Sequence, residues 1–325
     1  MILGLIEHDR GKPHKAAWEM LTLARKLAGD LDTPLEAVII GESGRNLAQE
    51  ATVYGVAKVH LVQHERLDEY APEAWAQSLM QLVESEKPQA VLAAGTDRGN
   101  EVLAHLAAKS DLPLVANCTE IQPGESYRVT RVRWGGSLLE EARLQGQPKL
   151  LTVAPHVIPA EQVPGTGEVA LNPVTPTLSD KDFRVRVVSR VESARDKVSL
   201  TDARVVVSGG RGVGSTEGFE SLEELAALLN GAVGCSRAVT NEGWRPHADQ
   251  VGQTGSRVAP EIYFACGISG AIQHYVGCKG SKNIIAINND PEAPIIAKAH
   301  YAVIGDLHQV VPAISEAIRK VRSGG

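Results

Sequence analysis

Short apolar runs at residues 1–6, 35–40, 56–62 and 90–94 are separated by stretches of helical period at about 15–27 and 72–86. That rhythm predicts βαβ units and a parallel sheet. Gly95-Thr96-Asp97-Arg98-Gly99 joins a strand to a helix over 100–109, and apolar runs at 113–121, 127–134, 137–144 and 149–154 follow closely. The last of these read as antiparallel strands completing the same domain. Residues 155–176 hold five prolines and no helical period, which predicts a connector, and the alternating charges and valines of 180–196 predict a crossing strand. A second alternating unit has strands at 203–208, 261–266, 282–288 and 301–304 and a helix over 217–229. The fold class is therefore α/β in two domains, residues 1–192 and 193–325, each with a largely parallel sheet flanked by helices.

Composition narrows the function. At 325 residues and 43% apolar, the chain can bury two cores. With 33 basic residues against 39 acidic, a net charge of −6 and only 4 Trp, 6 Tyr and 3 Phe, it is unlike a nucleic-acid binder. The acidic excess falls wholly within residues 1–192. No apolar run is long enough to span a membrane, and the first residues lack the pattern of a secretory leader. Cys118, Cys235, Cys266 and Cys278 form no CxxC pair and sit in apolar or Gly-rich segments, which predicts core thiols, no metal and a reducing, cytoplasmic location. The other histidines lack metal-ligand spacing, and no paired carboxylates, Ser-His-Asp order or HExxH suggests hydrolysis, so no catalytic residue is assigned.

The unusual residues cluster in the second domain. Val207-Ser208-Gly209-Gly210-Arg211-Gly212-Val213-Gly214-Ser215 lies between a strand and a helix, where exposed N–H groups and the helix dipole suit a phosphate. Its spacing is not GxGxxG, so a dinucleotide fingerprint is weak and a simple tight turn stays open. Gly234-Cys235-Ser236-Arg237, Gln250-Val251-Gly252-Gln253-Thr254-Gly255 and Cys266-Gly267-Ile268-Ser269-Gly270-Ala271-Ile272-Gln273-His274 are each read as lying at the C-terminal end of a strand or in the loop that follows. Singly, Arg237 reads equally as a surface ion pair, Gln253 and Thr254 as a turn, and His274 as a helix-surface residue. On one sheet edge together, they imply a large polar ligand. Trp18, Trp75, Trp134 and Trp244 are expected to pack, although Trp244 stands between two of these loops.

These segments, with Ala259-Pro260-Glu261-Ile262-Tyr263 and Ile287-Asn288-Asn289-Asp290-Pro291-Glu292-Ala293-Pro294-Ile295, resemble the C-terminal domain of the electron transfer flavoprotein α-subunit family. The resemblance is strong over about 200–320, and the first domain resembles the family in length and strand pattern. Gly214 is a departure, since some members carry a lysine there. The resemblance implies a Rossmann-like FAD-binding domain and a heterodimer with a β subunit. Such a pair carries electrons from flavoprotein dehydrogenases to a quinone reductase or similar acceptor, as a carrier rather than a substrate-transforming enzyme. By motif, Arg211 and the Ser269 loop would face the FAD diphosphate, and Asn288 and Asp306 the adenosine. Ser236, Arg237, Gln253, Thr254 and His274 would surround the flavin ring. Gly210, Gly212, Gln250, Gly267, Gly270, Ala271 and Gln273 complete the expected cofactor-binding set. Reduced flavin gathers negative charge along N1 and O2, so a guanidinium and an imidazole donor nearby would raise its potential. The alternative is an NAD(P)-dependent oxidoreductase subunit, whose Gly-rich turn would hold the pyridine nucleotide.

Overall fold

The computed structural model describes residues 1–323 except Thr166 and residues 191–197. The chain divides into two compact units, residues 1–133 with 138–191, and residues 134–137 with 192–325. The boundary expected between 192 and 193 lies outside the described residues.

In the first unit the strands are β1 (Ile2–Leu5), β2 (Leu35–Ile40), β3 (Lys58–Val62), β4 (Ala90–Ala94), β5 (Leu114–Gln122), β6 (Tyr127–Arg133), β7 (Leu138–Leu144), β8 (Lys149–Val153) and β9 (Ala170–Val174). They form one sheet in the order β9-β3-β2-β1-β4-β8-β5-β6-β7. Helices α1 (Lys15–Asp30), α2 (Pro72–Glu86) and α3 (Asp97–Ser110) cover it. Ala37 and Ile39 of β2 pack into the cluster that contains α1, while Val38 and Ile40 pack into the one that contains α2 and α3. That alternation is what a strand buried on both faces requires. Helix starts follow the sequence signals. Pro72 opens α2, and the Thr96 hydroxyl caps α3 by accepting from the Gly99 N–H.

Three expectations are corrected here. Of the four runs between 113 and 154, β5, β6 and β7 pair antiparallel, but β8 runs parallel between β4 and β5. All five β8 residues are buried, as suits an interior parallel strand. The proline-rich connector contains β9, an outer strand parallel to β3. Pro173 is tolerated there because an edge strand leaves one side of its backbone unpaired. Residues 180–183 form a 3₁₀ turn in which the Ser179 N–H and hydroxyl both meet the Asp182 carboxylate. Among described residues 184–190 there is no strand.

The second unit holds β10 (Val205–Gly209), β11 (Ala232–Cys235), β12 (Ile262–Cys266), β13 (Asn283–Asn288) and β14 (Tyr301–Ile304), all parallel, in the order β11-β10-β12-β13-β14. Its helices are α4 (Glu220–Leu228), α5 (Arg237–Asn241), α6 (Ile272–Cys278) and α7 (Leu307–Ser323). On β12, Tyr263 and Ala265 face a cluster with Cys278 of α6, and Phe264 and Cys266 face one with Leu222, Leu225 and Val311. All four cysteines are buried free thiols, as expected. Burial pushes each of them up to about 12, so they stay protonated and inert. No described helix is long and apolar enough to cross a membrane.

Candidate functional site

Register brings the singular loops of the second unit together. Gly209, the last residue of β10, pairs with Cys235 on one side and Cys266 on the other, and Cys266 pairs in turn with Ile287. Four strands thus end nearly level, and the segments after them emerge on one edge. The chain goes from β10 to β11 on one flank and later to β12 on the other, so β10 and β12 flank the switch point where open α/β sheets hold ligands.

These segments enclose a cleft of about 640 Å³. Of the expected residues, Gly210, Arg211, Gly212, Ser236, Arg237, Gly267, Ser269, Ala271, Gln273, His274 and Asn288 line it. Gln250 and Thr254 line a smaller hollow of about 250 Å³ that shares Arg237 and Asn241 with the main cleft. There the Gln250 amide donates to the Thr254 hydroxyl at 2.9 Å and accepts from Thr240 at 2.8 Å.

The remaining three lie outside both linings. Gln253 is exposed, with its backbone N–H donating to the Gln273 carbonyl at 2.7 Å. Gly270 is buried with φ +81°, and a Cβ there would lie 2.5 Å from Ile295 N. The Asp306 carboxylate accepts from His308 N at 2.9 Å, at the start of α7. Trp244 packs against the core and is absent from the lining, in keeping with a packing role.

The glycines serve loop contact. Gly210 donates to the Cys266 carbonyl and Gly212 to the Gly267 carbonyl, at 2.9 and 3.1 Å. A Cβ on Gly210 would meet the Gly267 oxygen at 2.2 Å, and one on Gly212 the Gly267 Cα at 2.7 Å. Asn288 fastens the far side: its amide donates to the Ile268 carbonyl and its oxygen accepts from Asp290 N. Arg211 and Arg237 are exposed at the cleft, and Asp290 is its only acidic lining residue among those described.

His274 is the most unusual group. It is 7% exposed, and its Nε2 lies 2.9 Å from the Tyr263 hydroxyl. Its Nδ1 has no hydrogen-bond partner among the described residues. Desolvation drives its pKa down to about 4, against a smaller opposing effect of the Val251 carbonyl, so the ring is neutral at pH 7. Burial holds the Tyr263 hydroxyl well above its ordinary value.

Sequence reasoning missed Asn241, Asn289 and Asp290 in the lining and Tyr263 beneath it. Asn241 had a usable signal, lying four residues after Arg237 and hence on the same helix face. In the first unit, Glu36, His60 and Glu86 converge, but Lys58 Nζ already lies 3.0 Å from Glu36 and 3.6 Å from Glu86. Its ammonium supplies the positive charge, and the cluster reads as an ion-pair network.

Comparison with known proteins matches residues 2–179 to the electron transfer flavoprotein domain and residues 199–279 to the electron transfer flavoprotein FAD-binding domain. Across 97% of its length the chain is 36% identical to the electron transfer flavoprotein subunit alpha of Thermoanaerobacterium thermosaccharolyticum, covering 97% of that protein. It is 38% identical to protein FixB of Bradyrhizobium diazoefficiens, over 97% of this chain and 87% of the other. Against the electron transfer flavoprotein subunit alpha of Megasphaera elsdenii the identity is 37%, over 97% and 95%. An FAD-binding domain, rather than a pyridine-nucleotide one, is what the second unit matches.

Proposed function

Because the chain belongs to the electron transfer flavoprotein α-subunit family, whose members pair with a β subunit and carry electrons, we propose that its second-unit cleft holds the FAD. The supporting observation is the convergence, in one 640 Å³ cleft, of glycine backbone, two arginines and a buried imidazole with an unsatisfied nitrogen. Those groups fit a flavin dinucleotide. The guanidinium groups suit a diphosphate, and an orphaned ring nitrogen suits a polar heterocycle edge. FAD, when bound, supplies reversible electron transfer.

The chain's own residues divide the rest of the work. Gly210 and Gly212 let the loop close on Gly267 so that Arg211 and the Ser269 loop meet the diphosphate. Asn288 holds the loops at 268 and 290 in place for the adenosine end. Ser236, Arg237 and His274 take the ring end, with Gln250 and Thr254 shaping the adjoining hollow. Arg237 places positive charge where reduction puts negative charge, while His274 enters neutral and acts as a hydrogen-bond donor. The acidic first domain meets the β subunit, flavoprotein dehydrogenases supply electrons, and a quinone reductase or similar acceptor takes them.

The test is to purify the chain with its β subunit, record the visible spectrum, and quantify FAD released on denaturation. Flavin bands that dithionite bleaches and that diminish in the Arg237→Ala, Gly210→Val double variant support the assignment. A colourless pair stabilised by NAD(P) removes it.

A further inference from the structure

Beyond the cleft wall, Tyr263 carries a role that its place in the core conceals. It is fully buried on β12, with its hydroxyl 2.9 Å from Nε2 of His274 on α6. One of the two groups must donate to the other. If the imidazole donated, the phenolic proton would need its own acceptor in a core where the other neighbours are the thiols of Cys235, Cys266 and Cys278 and the Ser208 hydroxyl. Ser208 Oγ makes no hydrogen bond of normal geometry. The His274 Nδ1 would then be a bare lone pair, buried without a donor. If the tyrosine donates, the ring proton sits on Nδ1, which has no partner among the described residues and is left to donate to a ligand in the cleft. The second arrangement leaves fewer buried groups unsatisfied.

We propose that Tyr263 is a positioning residue: its hydroxyl donates to Nε2 of His274, fixes the Nδ1–H tautomer and locks the ring plane at the cleft wall. The inference deepens the FAD reading and rests on it for the consequence at the flavin, though not for the tautomer itself. A donor tautomer with one orientation favours a ligand that gains negative charge, whereas a ring free to exchange tautomers would present a lone pair part of the time. Protonation of His274 is opposed by the same contact, since an imidazolium would take Nε2 as a donor and turn the phenolic proton out of its hydrogen bond. Around the ring, Tyr263, Cys278 and Cys266 are neutral groups, and Lys298 approaches Cys278.

The experiment uses the full chain paired with its β subunit, labelled with ¹⁵N-histidine and assigned by His274→Gln. The wild-type protein is expected to show His274 as a single Nδ1–H tautomer, with and without FAD. A single Nε2–H tautomer, or rapid exchange between the two, overturns the proposal with no variant needed. Tyr263→Phe is expected to mix the tautomers and raise the pH at which His274 titrates. With FAD content equal, it should lower the midpoint potential of the bound flavin. A variant that is merely less stable, with tautomer, titration and potential unchanged, overturns it as well. Absence of FAD from the wild-type pair would defeat the reading of the cleft, while the tautomer would still decide the role of Tyr263.

Discussion

Acidification should destabilise the FAD-free protein through His274, by an amount the structure sets. In the unfolded chain this imidazole titrates near its ordinary 6.5, and in the fold near 4 because it is desolvated. Between those values the unfolded chain binds the extra proton, so stability rises with pH across the window. The contribution is fully present above about pH 6.5 and is lost progressively as pH falls toward 4. From pH 7 to pH 5 the loss works out to about 2 kcal/mol, and the complete shift corresponds to about 3 kcal/mol. The assay is urea unfolding at pH 7, 6 and 5 for wild type and His274→Gln. His8, also depressed by burial, adds the same sign of dependence in both proteins and cancels in the difference. The thiols beside Tyr263 stay protonated throughout. The variant is therefore expected to lose about 2 kcal/mol less than wild type between pH 7 and 5. Parallel curves would show that the folded imidazole is not held neutral, refuting the desolvation argument.

Gly210→Val should sharply reduce FAD content and lower stability, because its Cβ falls 2.2 Å from the Gly267 carbonyl, whereas Gly29→Ala, inside α1 with nothing within 4 Å, should leave FAD content unchanged and not lower stability; released flavin and thermal melts report both. Arg237→Ala should lower the flavin potential by roughly 40 mV for each ~1 kcal/mol of differential interaction lost, with Arg237→Lys between it and wild type, as spectroelectrochemical titration of fully loaded samples would show. Asn288→Ala removes a buried amide that serves Ile268 and Asp290, so denaturant unfolding should show a loss of about 1–3 kcal/mol and flavin titration a weaker affinity.

The cleft was legible from its loops because parallel strands deliver their carboxyl ends to one edge. Glycine and polar residues after four apolar runs are thus local signals with a joint meaning. Asp306 shows the limit of that reasoning. Its place after a strand is the same, but an aspartate just before a helix is equally a cap, and its carboxylate meets the His308 N–H. Tyr263 could not be read at all from sequence, because in an alternating strand an inward tyrosine looks like packing until the helix that crosses it supplies a partner. In the first domain, the apolar 149–153 run gave no direction. A strand's polarity relative to its neighbours depends on where the preceding hairpin returns the chain. Pro173 hid β9 because proline counts against a strand unless that strand lies at an edge.

A crystal structure of the chain paired with its β subunit, purified with its endogenous flavin, tests the central claim most directly. The account predicts FAD in the second-unit cleft, its diphosphate against Gly210, Arg211 and the Ser269 loop and its ring beside Arg237 and His274. A cleft filled by β-subunit side chains, with the flavin held elsewhere, would contradict it.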